Sequence, residues 1–278
     1  EQSAVGPLHP LMAELGRDAT HAELAAKLGV AVADIPAVEE AERNPYERGG
    51  FSLYDVSDKS KPKLIHFQKT HGRGVHRFDM DKDYAYISTE MPGFIGNILV
   101  TYDIRNPAKP EEVSKWWMPG QHIAGGEKPT WPGRQHRLHH TLRFGNELWA
   151  GCWHGGVRVI DVTDIRKPKT TGSFNYHPPY PEPSHTFMPV LKKLDGKRIA
   201  VAIDEEDHAH DAEEMARRRG RPHGCLWVLD VTDLSNIKPL SLFEVSELDS
   251  PWSRTTPGRF GAHGYPAERG RPTGISAR

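Results

Sequence analysis

Residues 155–164 read Gly155-Gly-Val-Arg-Val-Ile-Asp161-Val-Thr-Asp164, and Ile-Arg-Lys-Pro168 follows at once. An apolar stretch running into Asp-Val-Thr-Asp and then a proline predicts a β-strand closed by a turn, because Asp and Pro favour turn geometry over ladder hydrogen bonding. The phrase recurs as Phe51-Ser-Leu-Tyr-Asp55-Val-Ser-Asp58-Lys-Ser-Lys-Pro62, as Ile98-Leu-Val-Thr-Tyr-Asp103-Ile-Arg-Asn106-Pro-Ala-Lys-Pro110, and as Cys225-Leu-Trp-Val-Leu-Asp230-Val-Thr-Asp233 with Pro239 downstream. Four copies make an internal repeat.

Successive marker aspartates (Asp55, Asp103, Asp161, Asp230) lie 48, 58 and 69 residues apart. Spacing of this order with strand patterning suits a propeller blade, in which about four short strands bury their faces only when neighbouring blades stack on them. The phrase resembles the repeat of the LVIVD-repeat family of β-propellers, over roughly residues 48–263. That resemblance implies an all-β fold, a β-propeller built of LVIVD-type blades with about four to five blades present. It speaks to fold and not to activity, since propellers host unrelated functions.

Outside the repeat the chain changes character. Thr20 with Glu23 three residues later, the apolar pair Leu24 and Leu28, and Gly29 predict a capped helix. Residues 1–47 are therefore expected to form a short helical N-terminal insertion, 48–263 the blades and 264–278 an irregular tail. The acidic run after Gly29 lacks the basic recognition helix that DNA binding requires. Residues 116–133 form a long Pro-, Gly- and Trp-rich connection of the kind that carries function. The segment 204–221 begins acidic and ends basic, and part of it is expected to be a surface helix. Four repeat endings are few for a closed propeller, so the sequence is expected to be a piece of a longer one.

Charge and composition exclude several classes. A net charge of -1 and a pI near 7.1 exert no pull toward nucleic acid or acidic membranes. No apolar run reaches membrane-spanning length. Cys152 and Cys225 lie far apart inside predicted strands and read as buried thiols, which leans toward a cytoplasmic, reducing compartment. Glu1 is not an initiator, so a removed targeting segment stays open. Gly-x-Ser-x-Gly, Walker, dinucleotide-glycine and HExxH motifs are absent.

The chemistry resides in the histidines. His76 and His140 each stand eight residues before the same point of a following strand, Tyr84 and Leu148, so they occupy equivalent places in consecutive blades. His185 holds the matching place before Ile199 across a wider turn, and His263 opens what should be the next blade. In a propeller the strand that opens a blade is innermost, so these imidazoles would ring the central channel. Neutral imidazoles with an open position suit a single transition metal ion, Fe, Mn, Zn or Cu. Other propellers, the selenium-binding and methanethiol oxidase family among them, use channel histidines for metal. Glu127 in the long connection and Glu205 after the strand at Ile199 are the candidate catalytic carboxylates. Glu90 occupies a position related to that of Glu205. His139 and His136 are expected to point elsewhere, His208 and His210 to be solvated, and His71 and His154 stay unplaced. Trp149 reads as core, whereas Trp117, Trp131 and Trp153 serve equally as core or as pocket walls.

The leading expectation is thus a metal-dependent propeller enzyme acting on a small organic molecule, with His76, His140, His185 and His263 as ligands. The alternative is a non-catalytic propeller, a binding or assembly scaffold in which the same histidines hydrogen-bond between blades.

Overall fold

Every copy of the repeat closes its strand through the same local chemistry. The marker aspartate accepts from the backbone two residues on: Asp55 from Ser57 (2.9 Å), Asp103 from Arg105 (3.0 Å), Asp161 from Thr163 (2.8 Å) and Asp230 from Thr232 (3.0 Å). A second such turn follows three residues later, at Asp58, Asn106, Asp164 and Asp233. Short polar side chains that bond their own backbone in this way replace ladder bonds, which is why the strands end there. The apolar residue after the marker then ties back to the preceding hairpin, Ile104 N to Asp83 O (2.8 Å), Val162 N to Asn146 O (2.8 Å) and Val231 N to Arg198 O (2.9 Å).

The computed structural model describes residues 11, 12, 14, 19–42, 49–131, 134–206, 212–218 and 220–244. The strands are β1 (Gly50–Asp55), β2 (Lys63–Lys69), β3 (Arg77–Met80), β4 (Tyr84–Glu90), β5 (Asn97–Asp103), β6 (Glu111–Trp116), β7 (His136–Phe144), β8 (Glu147–Trp153), β9 (Val157–Asp161), β10 (Lys169–Phe174), β11 (Ser184–Pro189), β12 (Ile199–Asp204), β13 (Leu226–Asp230) and β14 (Lys238–Phe243). The described residues are thus mostly β, in antiparallel hairpins joined in sequence order. β3 to β6 form a four-stranded sheet. β7 to β10 and β11 to β14 form two more runs of four, joined into one eight-stranded sheet through the pair Ser184 and Trp153. β1 and β2 form a separate hairpin. The marker phrase always ends the strand before the last of its run.

Two apolar layers lie between the runs. Tyr86, Leu99, Trp116, Met118, Leu138, Leu148, Cys152 and Ile160 fill the space between β3–β6 and β7–β10. Trp149, Val159, Phe187, Ala202, Trp227 and Leu229 fill the space between β7–β10 and β11–β14. Trp149 is 0% exposed, as expected for core. Where that cover is lacking, the same repeat positions stay open: Tyr54 and Val56, either side of the aspartate that ends β1, are 52% and 56% exposed, whereas Tyr102 and Ile104, at the end of β5, are 3% and 7%.

Helices α1 (His21–Leu28) and α2 (Ile35–Glu42) pack Leu24, Ile35 and Val38 on Ile95 and Ile123. The capping box is present: Thr20 N donates to Glu23 Oε2 (2.9 Å), Glu23 N donates to Thr20 Oγ1 (3.3 Å), and Gly29 ends the helix at φ 68°. Within the described part of the 116–133 connection, Ile123–Gly125 form a 3-10 turn. α3 (Ala212–Arg218) is the helix expected within 204–221. Cys152 and Cys225 are free and buried. Among the described residues no helix is long and apolar enough to cross a membrane.

Candidate metal centre

β3, β7 and β11 each open a run of four strands, and β7 touches both of the others. His139 and His140 lie in mid-β7, His185 is the second residue of β11, and His76 immediately precedes β3. One potential ligand atom from each of His139, His140 and His185 falls within a mutual 4.8 Å, a spread that one metal ion can span. The rings of His139 and His185 stand 3.9 Å apart, and those of His140 and His185 5.6 Å.

Adjacent residues on a strand ordinarily point to opposite faces. In β7 the pairing with β8 shifts register between His136 and His140, and such an irregularity re-aims side chains. His139 and His140 consequently bring their Nδ1 atoms to 2.8 Å. The expectation that His139 points away is corrected by this local break in the ladder.

The close approach of β11 depends on Gly151 of β8. A Cβ at that position would stand 2.3 Å from the carbonyl oxygen of His185, so any side chain there would push β11 off.

His139 is 1% exposed. Burial, reinforced by His185, His140, His76 and Arg77, drives its pKa far below the usual imidazole range, so the ring is neutral. Its Nδ1 lies 3.1 Å from the carbonyl of His185, which can only accept, so the single proton belongs on Nδ1. Nε2 then carries a lone pair and faces Glu205 Oε2 at 3.8 Å. Two electron-rich atoms at that separation make neither a hydrogen bond nor an ion pair; a cation or a proton between them is their natural complement. His185 Nδ1 lies 2.7 Å from Thr186 Oγ1, which orients that ring.

Around this group, His76 stands edge-on to His139 (4.9 Å) and to Trp153 (5.8 Å). Its outer edge is exposed, yet burial first, then Arg137 and Arg77, lower its pKa to about 4. Trp153 stacks on His139 at 6.0 Å, and the Arg137 guanidinium lies 4.4 Å over the Trp153 ring. Trp153 also holds a positive φ of 43°, an uncommon conformation for a bulky residue that marks a constrained place. Its Nε1 is buried and finds no hydrogen-bond acceptor among the described residues.

The other residues singled out from the sequence lie apart from the three-histidine group. Glu127 is spent within its own loop: Oε1 accepts from Trp117 Nε1 (3.1 Å), and Oε2 from Gly120 N (2.8 Å) and His122 N (3.1 Å). Burial works to raise its pKa, but these donors hold it below the usual carboxylate value. Glu90 accepts from Arg73 N (3.4 Å) and lies 3.8 Å from Arg137. His71 meets Glu112 at 2.9 Å, and His154 meets the Pro181 carbonyl at 3.2 Å. His136 stacks on Trp131 at 4.9 Å. His208, His210 and His263 lie outside the described residues.

Comparison with known proteins adds little to this geometry. No family model matches the chain, and no curated protein does. Among solved structures the chain is similar to a hypothetical selenium-binding protein from Sulfolobus tokodaii, at 12% identity and a TM-score of 0.46. The match covers 79% of this chain and 52% of the other, so the chain spans about half the length of that protein.

Proposed function

We propose that the chain is part of a β-propeller of the LVIVD-repeat type and acts as a metal-dependent enzyme on a small organic molecule. The three runs of four antiparallel strands, each carrying the Asx-turn signature at its third strand, support the blade reading. The observation that carries the functional reading is the convergence of His139, His140 and His185, the first and last of them buried, with Glu205 alongside.

The donor set fits a single transition metal. Neutral imidazoles are the ligands that Fe, Mn, Zn and Cu share, and bound there such an ion would supply Lewis-acid or redox chemistry. His139, His140 and His185 are the residues to hold it, with His76 next to them and His263 retained as a further candidate. Glu205 is the carboxylate placed to accept or return a proton. Glu127 acts at one remove by fixing the 117–127 loop. Trp153 walls the pocket and offers an unspent N–H to a bound molecule. Oxidation and hydrolysis both suit this arrangement.

One observation favours the scaffold reading instead: His139 Nδ1 already bridges to the His185 carbonyl and to His140, a contact that would also serve to staple β7 to β11. Turnover separates the two. Metal-loaded protein is screened against small organic substrates by oxygen uptake and by product release, alongside Glu205→Gln. The enzyme reading expects turnover that Glu205→Gln lowers by about 10²-fold or more. A stapling role is indicated if metal-loaded protein turns over nothing and Glu205→Gln changes nothing.

A further inference from the structure

Residues 175–183, which connect β10 to β11, are fastened by a chain of hydrogen bonds. The Tyr176 hydroxyl stands 2.5 Å from Asp204 Oδ1 and 2.5 Å from Ser184 Oγ, and Ser184 Oγ stands 3.3 Å from His177 Nε2. Tyr176, Ser184 and Asp204 are buried and His177 is half-buried. Tyr176 and His177 belong to the connection, Ser184 opens β11 and Asp204 closes β12, so the chain ties the connection to both strands.

The hydrogens of this chain can be counted. Each of its three contacts needs one hydrogen between the two heavy atoms. The two hydroxyls bring one each, so the third comes from one end of the chain. At the Asp204 end, Oδ2 accepts from Cys225 N and Trp227 Nε1 (both 3.1 Å), so a carboxyl proton belongs on Oδ1, facing Tyr176. At the other end, His177 Nδ1 lies 2.5 Å from the Tyr180 carbonyl, which only accepts. Nδ1 therefore carries a hydrogen, and Nε2 bears one only when the ring is charged. With Asp204 protonated, the hydrogens run from Asp204 through Tyr176 and Ser184 to a neutral His177. With His177 charged, they run the opposite way to an ionised Asp204. Moving each hydrogen across one link interconverts the two arrangements without changing the total charge. Remove the proton from both ends and one contact has two acceptors facing each other, which is costly in a buried network.

We propose that His177, Ser184, Tyr176 and Asp204 form a single-proton latch, whose hold on the 175–183 connection depends on one proton shared between the imidazole and the carboxyl. Burial raises the Asp204 carboxyl to about 7, although its Tyr176, Trp227 and Cys225 donors favour the charged form. Burial lowers His177, against the Tyr180 and Trp153 carbonyls. Both directions agree with a proton resting at the Asp204 end. The titratable neighbours lie outside the chain: Glu182 beside Asp204, Glu206 and Glu244 beside Cys225, His223 bonded to Glu206, and His154 and His136 near His177. The latch includes none of His139, His140 and His185, so it stands whether or not they hold a metal.

The test uses the metal-free full chain with 15N-labelled histidine, the His177 ring nitrogens being assigned by comparison with His177→Gln. Between pH 6 and 8 the wild-type Nε2 resonance of His177 is expected to move as the shared proton leaves. Tyr176→Phe removes the middle of the chain but keeps the ring that stacks on Trp227, and should abolish that step. Asp204→Asn replaces the protonated carboxyl link for link, its amide nitrogen donating to Tyr176 and its oxygen accepting from Cys225 and Trp227, and should abolish the step too. Because the folded chain holds a proton that an unfolded Asp has released, wild-type stability falls as pH rises through about 7. The wild-type unfolding constant in urea should accordingly rise by about tenfold from pH 6 to 8 relative to that of Asp204→Asn. A wild-type His177 resonance that does not move, the same step in either folded variant, or unfolding constants that stay parallel would overturn the proposal. If Tyr176→Phe does not fold, Asp204→Asn decides alone.

Discussion

Gly151 lies directly beneath the backbone of His185, so close that a Cβ at 151 would stand 2.3 Å from the His185 carbonyl oxygen and 2.6 Å from its carbon. Both contacts are backbone and cannot rotate away. Gly151→Ala should therefore force β11 off β8, costing about 1–3 kcal/mol of stability as overpacking does. Because His185 rides on β11 and His140 pairs with Gly151, the same change should weaken metal binding. Urea unfolding and a metal titration on one preparation check both effects; a fully stable variant with unchanged metal affinity would contradict the packing account.

The core claim is tested at Trp149. Its ring is 0% exposed, 4.8 Å from Phe187 and 5.0 Å beneath the Arg198 guanidinium, with Nε1 donating to Glu147 (3.2 Å). Trp149→Ala should cost about 3–5 kcal/mol, through lost transfer energy and the cavity left behind. Equilibrium unfolding in urea gives the number, and a cost below about 1 kcal/mol would mean that the layer is not the joint core of its two strand runs.

The fold was legible where its causes are local. The Asx turns after Asp55, Asp103, Asp161 and Asp230 depend only on neighbours two or three residues away, so the repeat displays them directly. The capping box at Thr20 and Glu23 is visible for the same reason. The site was legible only in part. Repeat spacing singles out His140 and His185 as equivalent, and both stand in the three-histidine group. His139 was hidden because strand alternation sends it away from His140, and the register break that reverses this leaves no mark in the sequence. The role of Glu127 was hidden too, since its partners are the backbone nitrogens of a loop whose path no periodicity dictates.

Acid should destabilise the metal-free chain. Burial holds the folded-state pKa of His76 and His136 at about 4 and that of His139 lower still. The unfolded chain therefore binds more protons below the ordinary imidazole value, and stability falls as pH drops from about 6.5 toward 4. Asp204 acts oppositely: burial raises its pKa to about 7, although Tyr176, Trp227 and the Cys225 N–H favour the charged form. Its contribution is lost as pH rises from about 4 to 7. Asp204→Asn should thus steepen the climb of stability across this window, as read from urea unfolding at several pH values. A flat wild-type profile, or a shallower one in the variant, would contradict these assignments.

Both thiols should be silent in the folded state. Burial pushes Cys152 and Cys225 up to about 12, and only thiolate reacts at a useful rate. A disulfide-exchange reagent at neutral pH should label neither cysteine in native protein and both after denaturation. Rapid native labelling of Cys152 would show that the layer between β3–β6 and β7–β10 is open.

The central claim is that His139, His140 and His185 hold one metal ion. The direct measurement is metal content by inductively coupled plasma mass spectrometry, after reconstitution with Fe, Mn, Zn or Cu and removal of excess. Wild type and a His139→Ala/His185→Ala variant are compared, with circular dichroism confirming that both are folded. The account predicts about one ion per chain in wild type, as three imidazoles with an open position hold, and a large loss in the folded variant. Wild type that retains none of the four metals, or a folded variant that retains as much as wild type, would contradict it.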